Sequence, residues 1–318
     1  MTTPDVVTIG ETMAALRATG PVRLGAPMNL SVAGAESTVA IGLARLGHRS
    51  CWIGRVGDDE FGALVLRTLL AEGVDVSHAH IDGEGRPTGL LARERRIGGL
   101  IQVSYYRGGS AGSALCPEDV LPALSPGVRL LHLTGITPAL SPTCAEAALA
   151  AAREARELGI TVSLDVNYRS RLWSAQRARE TLLPLTRLAD ILIASADELH
   201  LVCADPVLEE KALVDALLTE GTRELVLTRG GNGADVFTTA ASAHAEAHQV
   251  PVVDVVGAGD AFVAGYLSGL LDGLDLDRRL RRAVAAGAFA VAAEGDWEGL
   301  PTRDSLALLD HPSGTTLR

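Results

Sequence analysis

Asp254-Val-Val-Gly-Ala-Gly-Asp260-Ala-Phe-Val-Ala-Gly265 sets a Gly-Ala-Gly turn directly against an apolar run that continues to Leu271. The spacing predicts a helix over about Ala258–Leu271 that starts at the turn. Small residues there let an anion approach the first backbone N–H groups, and the helix dipole favours negative charge at that end. Gly257, Ala258 and Gly259 would form such a cradle, with the Asp260 carboxylate in the first turn beside it. A carboxylate so placed suits removal of a proton from a hydroxyl while the N–H groups hold developing phosphoryl charge. In isolation the same residues also suit a plain helix cap after a glycine turn.

Outward from this stretch, short apolar runs alternate with helical periods. Strands are expected at Val6–Gly10, Cys51–Val56, Leu130–Thr134, Ile160–Leu164, Ile191–Ala194 and Glu224–Thr228. Helices are expected at Glu36–Leu46, Phe61–Ala71, Ala175–Leu183, Leu208–Leu218 and Asp277–Ala293. Ser141-Pro142 opens another: Ser caps, Pro suits the first position, and Gly159 ends the alanine-rich run. This alternation reads as βαβ units in a doubly wound, mostly parallel α/β sheet. Leu16–Val32 and Pro87–Tyr106 break the rhythm. They are β-leaning, glycine-punctuated and without a helical period, and read as a small antiparallel sheet projecting as a lid. The organisation expected is one domain over residues 1–318, with lid segments at about 14–33 and 87–108.

Two further constellations carry polar chemistry. Ser163-Leu-Asp165-Val-Asn167-Tyr168-Arg169 closes a strand at the edge where open α/β sheets bind ligands. Asp165 and Asn167 suit a hydrated divalent cation or a phosphate, and Arg169 a carboxylate or phosphate. Tyr105-Tyr106-Arg107-Gly-Gly-Ser110 ends the lid in a chain that is only 3% aromatic, and suits closure over a polyhydroxylated ligand. Val32-Ala33-Gly34-Ala35-Glu36 and Thr228-Arg-Gly230-Gly-Asn-Gly233 are weaker glycine-bearing turns. His132 lies in an apolar strand and reads as a core residue.

Composition removes whole classes of function. Lys211 is the only lysine among 28 cationic residues, in the charge-flanked run Glu209-Glu210-Lys211. A Walker phosphate loop and a protein-kinase strand lysine are therefore absent. Thr8-Ile-Gly10-Glu11 is not a dinucleotide fingerprint. A net charge of −11 excludes a counterion-displacing nucleic-acid surface. The four cysteines are dispersed, which points to a reducing cytoplasm without disulfides. The amino terminus does not read as a signal peptide, and no apolar run is long enough to suggest a membrane span.

These residues bring a family into view. Asp254–Leu267, Ala33-Gly34-Ala35, Gly54-Arg-Val-Gly57-Asp58 and Gly62 resemble the ribokinase-like (PfkB) carbohydrate kinases, along essentially the whole chain. Tyr105–Ser113, Leu131–Leu140, Asp165–Arg169 with Leu172-Trp-Ser174, and Gly295–Gly299 are most similar to its 2-keto-3-deoxygluconate kinase branch. The resemblance implies a ribokinase-like fold with a β-sheet lid. It implies that ATP, with Mg2+, donates its γ-phosphoryl group to the 6-hydroxyl of 2-dehydro-3-deoxy-D-gluconate. Asp260 would be the base and Gly257, Ala258 and Gly259 the anion hole. Gly34, Tyr105, Arg107, Ile136 and Arg169 would line the sugar-acid site. Thr228, Gly230 and Gly233 would approach the nucleotide, with Gly257 and Gly259. Ser195 and Glu198 fill the family's Asn-x-x-Glu position, with Glu198 acting on magnesium through water and Asp165 a second candidate. A monovalent cation near the Asp254 loop, and a homo-oligomer formed through the lid edge, are left open by the residues themselves.

One physical point agrees. A neutral sugar does not need two guanidinium groups, whereas a 2-keto acid has use for Arg107 and Arg169. The chain departs from the family pattern at Thr38 and Ser195, where asparagine is usual, and at Leu91, where the branch tends to carry a lid tyrosine. Other sugar kinases of the family (ribokinase, fructokinase, 5-dehydro-2-deoxygluconokinase), or a catalytically inactive sugar-acid sensor, are the alternatives.

Overall fold

Strands that are apolar on both faces must be covered on both sides. The computed structural model, which describes residues 3–97 and 100–310, does this with helices. The strands are β1 (Val6–Ile9), β2 (Met13–Ala18), β3 (Met28–Ala33), β4 (Ser50–Ile53), β5 (Arg55–Gly57), β6 (His80–Asp82) and β7 (Leu90–Arg95). They continue as β8 (Ile101–Tyr106), β9 (Leu130–Thr134), β10 (Thr161–Asp165), β11 (Ile191–Ser195), β12 (Glu224–Thr228), β13 (Ala234–Phe237) and β14 (Ser242–Ala245). The helices are α1 (Ala35–Arg45), α2 (Glu60–Ala71), α3 (Pro117–Val120), α4 (Ile136–Leu140) and α5 (Pro142–Glu157). Then come α6 (Ala175–Thr186), α7 (Glu210–Thr219), α8 (Ala258–Leu271) and α9 (Leu276–Val291).

The main sheet has the order β14-β13-β12-β11-β10-β9-β1-β4. It is parallel from β4 to β12 and antiparallel at β13 and β14. Alternate side chains divide between two cores. Val7, Leu131, Leu133, Leu192 and Leu225 face one layer with the buried alanines of α5. Val6, Leu130, Ile191, Ile193 and Val226 face the other, with Phe262, Tyr266 and Leu280 of α8 and α9. α5 forms as expected: the Ser141 hydroxyl accepts the Cys144 N–H at 3.1 Å, and Pro142 takes the first position. Its Ala147, Ala148, Ala151, Ala152 and Ala155 lie on one buried face, so the helix sits close on the sheet. α8 is apolar nearly all round because α1 and α9 flank it. A Cβ on Gly265 would lie 2.8 Å from the Ala283 Cα and the Arg282 carbonyl, so only glycine lets α8 and α9 approach so closely.

A separate sheet of order β3-β2-β7-β8 projects from this domain. Its outer pairings are antiparallel, while the central β2–β7 pairing is parallel. The parallel pairing arises because the two contributing segments leave and rejoin the main domain separately. The run expected as one strand at Cys51–Val56 splits at Gly54. A Cβ there would lie 2.2 Å from the Trp52 ring and 2.4 Å from the Gly10 carbonyl, and beyond it β5 leaves to pair with β6. Met1-Thr2 of the amino-terminal stretch and Gly98-Gly99 of the second lid segment lie outside the described residues.

Candidate active site

Strand order reverses direction at β1: the chain continues to β4 on one side and later returns to β9 on the other. A crevice at the carboxyl ends of the strands follows from that topology. A cavity of about 890 Å³ lies there. Its walls bring together Gly34 and Glu36 from the start of α1, and Tyr105 and Arg107 from the end of β8. Ile136, Asp165, Asn167 and Arg169 come from the ends of β9 and β10; Ser195, Glu198 and Thr228 from β11 and β12; Gly257, Gly259 and Asp260 from the start of α8.

Gly257 caps α8 in a left-handed conformation (φ 75°), and a Cβ on it would lie 2.0 Å from the Asp296 carbonyl oxygen. Glycine is therefore required for the turn itself. Gly259 has nothing within 4 Å of where a Cβ would stand, so the cradle opens on clear space. Ala258 supplies backbone only and does not line the cavity. The Asp260 carboxyl faces that space, and its pKa is pushed up to about 7. Burial is the main cause; Arg169 pulls it down, while the Glu36 and Asp296 carboxylates push it further up.

The chain turns at Asn167, the one non-glycine residue with positive φ (41°) among the described residues. The turn lets the Asn167 amide donate to Asp165 at 3.0 Å and reach Asp260 at 3.4 Å. The Asn167 side-chain amide oxygen Oδ1 is buried without a hydrogen-bond partner among the described residues. Asp165 is raised well above the usual carboxylate range by burial first, then by the charges of Glu198 and Asp260. Both Glu198 oxygens accept backbone N–H groups, Tyr168 at 2.6 Å and Ser195 at 2.9 Å, which clamps the ends of β10 and β11 together. Among the described residues no three His, Cys, Asp or Glu side chains close into a metal cage. This sparse, mutually repelling carboxylate set fits a hydrated Mg2+ shared with phosphates better than a metal held by protein alone.

The two arginines differ. Arg169 is exposed and leans on the Tyr168 carbonyl at 3.2 Å. Arg107 is tied to the buried Glu11 through Nε at 2.6 Å and Nη2 at 2.5 Å, and lies over the Tyr105 ring at 5.7 Å. Both guanidinium groups line the cavity as expected; Glu11 is ion-paired with Arg107, whereas Arg169 has no ion-pair partner among the described residues. The cavity reaches Thr228 but not Gly230 or Gly233. Gly233 has its own reason to be glycine, since a Cβ would lie 1.9 Å from the Ala245 carbonyl of β14.

Sequence reasoning gave Glu36, Glu11, Arg93 and Asp296 no role. Glu36 is buried, and one of its oxygens accepts the Thr134 and Thr137 hydroxyls at 2.6 Å each; burial raises its pKa. His132 is a core residue, with its ring 3.2 Å from the Ser163 hydroxyl and its pKa pushed down to about 3 by burial. Lys211 is exposed on α7, outside the cavity.

A family profile described as pfkB family carbohydrate kinase matches residues 3–303. A 2-dehydro-3-deoxygluconokinase of Bacillus subtilis is 38% identical, covering 95% of this chain and 94% of that protein. One of Thermoproteus tenax is also 38% identical, covering 94% and 91%. A fructokinase of Escherichia coli reaches 38% as well, over 86% and 90%. Among solved structures, a protein described as a ribokinase II of Escherichia coli, bound to ATP and Mg2+, superimposes with a TM-score of 0.87 at 25% identity, covering 96% and 99%. A double mutant of the Vibrio cholerae fructokinase, solved with fructose, ADP and a potassium ion, gives 0.82 at 26% identity, covering 97% and 99%.

Proposed function

The chain belongs to the pfkB family of carbohydrate kinases, and from that premise we propose that it phosphorylates 2-dehydro-3-deoxy-D-gluconate at the 6-hydroxyl with ATP. The observation that carries the reading is the pairing, in one cavity, of Asp260 beside an open N–H cradle with the uncompensated Arg169 guanidinium. The substrate carboxylate would meet Arg169 and the remaining donor of Arg107, with Tyr105, Ile136 and the side-chain-free Gly34 shaping the wall. Gly34 admits no side chain, since a Cβ would lie 2.6 Å from the Glu11 carbonyl.

In this reading the nucleotide lies toward Ser195 and Thr228, with Gly230 and Gly233 at its outer edge. Glu198 and Asp165 hold the hydration shell of Mg2+, which neutralises phosphate charge when bound. The sugar O6 forms its bond to the γ-phosphorus as the bond to the β–γ bridging oxygen breaks. The O6 proton passes to Asp260, and ADP departs with the electron pair. The Gly257–Gly259 N–H groups hold the charge spread over the transferring oxygens.

A coupled assay of ADP release over 2-keto-3-deoxygluconate, its galacto epimer, 5-dehydro-2-deoxygluconate, ribose and fructose tests the substrate. The keto-deoxy acid should show the highest kcat/KM, and Arg169→Ala should raise KM for the acid far more than for ATP. Faster turnover of ribose or fructose sinks the reading, and tight acid binding without ADP release would favour a sensor. The proposal extends to assembly. The two opposite edge strands of the projecting sheet, β3 and β8, expose Leu30 and Tyr106, surface that a second copy would cover; light scattering reads this directly. Among the described residues no helix is long and apolar enough to cross a membrane, and the four cysteines are free.

A further inference from the structure

The loop that delivers the anion cradle starts at Asp254, which is buried and carries a full set of partners. One carboxylate oxygen accepts the Val256 N–H at 3.1 Å. The other accepts the Gly295 N–H at 3.1 Å and a hydrogen bond from Nη2 of Arg93. Arg93 does not belong to this domain's sheet. It comes from β7 of the projecting sheet, 161 residues away, and its side chain is only 6% exposed. Its other amino group, Nη1, has no hydrogen-bond partner among the described residues and lies 4.0 Å from the Asp296 carboxylate. Asp296 in turn presents the carbonyl against which Gly257 turns. Arg93, Asp254, Gly295, Asp296 and Gly257 thus form a closed circuit around the base of the cradle.

Family resemblance raised a monovalent cation beside this loop, and a relative of the same fold was solved with potassium. The residues present do not fit one at Asp254. A buried carboxylate needs a counter-charge, and here that charge is covalently attached. A second cation beside the guanidinium would meet like-charge repulsion in a poorly solvated place, with both oxygens of Asp254 already engaged.

We infer that the Arg93 guanidinium is a built-in counter-ion that replaces a monovalent cation at the Asp254 loop and thereby ties the lid sheet to the phosphoryl cradle. Arg93 is a positioning residue: it touches neither phosphate nor sugar, but holds Asp254 and, through Gly295 and Asp296, the turn at Gly257. Turnover is then independent of alkali cations. The inference rests on the kinase reading of the cradle and is indifferent to which sugar is phosphorylated.

The test compares the full-length protein in potassium, sodium and tetramethylammonium chloride at equal ionic strength, reading both kcat and Tm. The parent enzyme should keep the same kcat to within about twofold and an unchanged Tm across the three salts, because no cation-specific free energy is linked to folding or turnover. Arg93→Ala should lose about tenfold or more in kcat in tetramethylammonium, a fraction of what removal of a cradle donor itself costs. Potassium or guanidinium ion should restore a substantial part, an effect that a merely structural role would not produce. Potassium activation of the parent overturns the inference, and so does an Arg93→Ala enzyme that folds and turns over normally in tetramethylammonium. If Arg93→Ala does not fold, the parent's salt comparison decides alone. If no sugar in the panel is phosphorylated in any salt, the substrate reading fails separately, and the parent's Tm comparison decides the cation question.

Discussion

As the proposed base, Asp260 stands at a place where folding disfavours its charge. Burial and the carboxylates of Glu36 and Asp296 push its pKa up to about 7, with Arg169 opposing. A base poised near the working pH is what proton removal from a sugar hydroxyl needs. Because the deprotonated form is required, kcat/KM for the sugar should rise with pH up to about 7 and level off above; a flat profile through that range defeats the assignment. The same shift has a stability consequence of definite sign. A carboxyl whose folded pKa lies above its unfolded value contributes stability that is present at low pH and lost as pH rises through the folded value. Asp260→Asn should therefore lose about 10²–10⁴ in kcat yet melt higher than the parent at pH 8, with the difference vanishing toward pH 4. A lower Tm at pH 8 would show that the carboxylate is stabilised where it stands. Asp260, Asp165 and Arg169 were legible in the sequence because each closes or opens an element that has a local signal. Glu36, Glu11 and Arg93 were not. Their partners, Thr134, Arg107 and Asp254, lie 98, 96 and 161 residues away, and no local period marks such pairs.

At the scale of the element, the start of α8 separates two kinds of glycine. Gly257 is needed for the turn, since both its positive φ and the Asp296 carbonyl exclude a side chain. Gly259 is free of any neighbour and lies within helical backbone. Gly259→Ala should therefore gain up to about 1 kcal/mol in folding stability, as alanine usually does over glycine in a helix. The new methyl would stand in the open space where the transferring phosphoryl group is proposed to pass, so kcat should fall. A stabilised variant with full activity would remove Gly259 from the cradle. Melting curves and ADP release on one preparation settle it. Most element boundaries followed from apolar period, the Ser141 cap and glycine stops; Leu130–Thr134, Glu224–Thr228 and Ala258–Leu271 coincide with the expected spans. The exceptions have a physical cause outside local sequence. The strand at Cys51–Val56 breaks because Trp52 and the Gly10 carbonyl crowd Gly54, and the lid sheet acquires a parallel pair because two distant segments meet in it.

Across the whole molecule, the distribution of cations explains how an acidic chain handles anions. The net charge is −11, yet many of the arginines are committed to carboxylates inside the fold. Arg17 holds Glu298, Arg93 holds Asp254 and Arg107 holds Glu11, and each of these bridges joins the projecting sheet or its end to the main domain. Ser31 and the Val32 carbonyl add hydrogen bonds to Glu298 and Trp297 at 2.8 and 3.2 Å, so the Gly295–Gly299 stretch is the seat on which the lid rests. In the proposed reaction what remains for the ligand is backbone N–H groups, Arg169 and the remaining donor of Arg107, and no amine is required. The sole lysine, Lys211, is exposed on α7 and outside the cavity. Exhaustive acetylation of amines should accordingly leave kcat and KM within about twofold of the untreated enzyme, as expected for a surface change away from any site. An arginine-directed dicarbonyl should inactivate it, and the sugar acid together with ATP should slow that inactivation by covering Arg169. Loss of turnover on acetylation would place an amine in the phosphoryl path and overturn the assignment of phosphate binding to backbone and arginine.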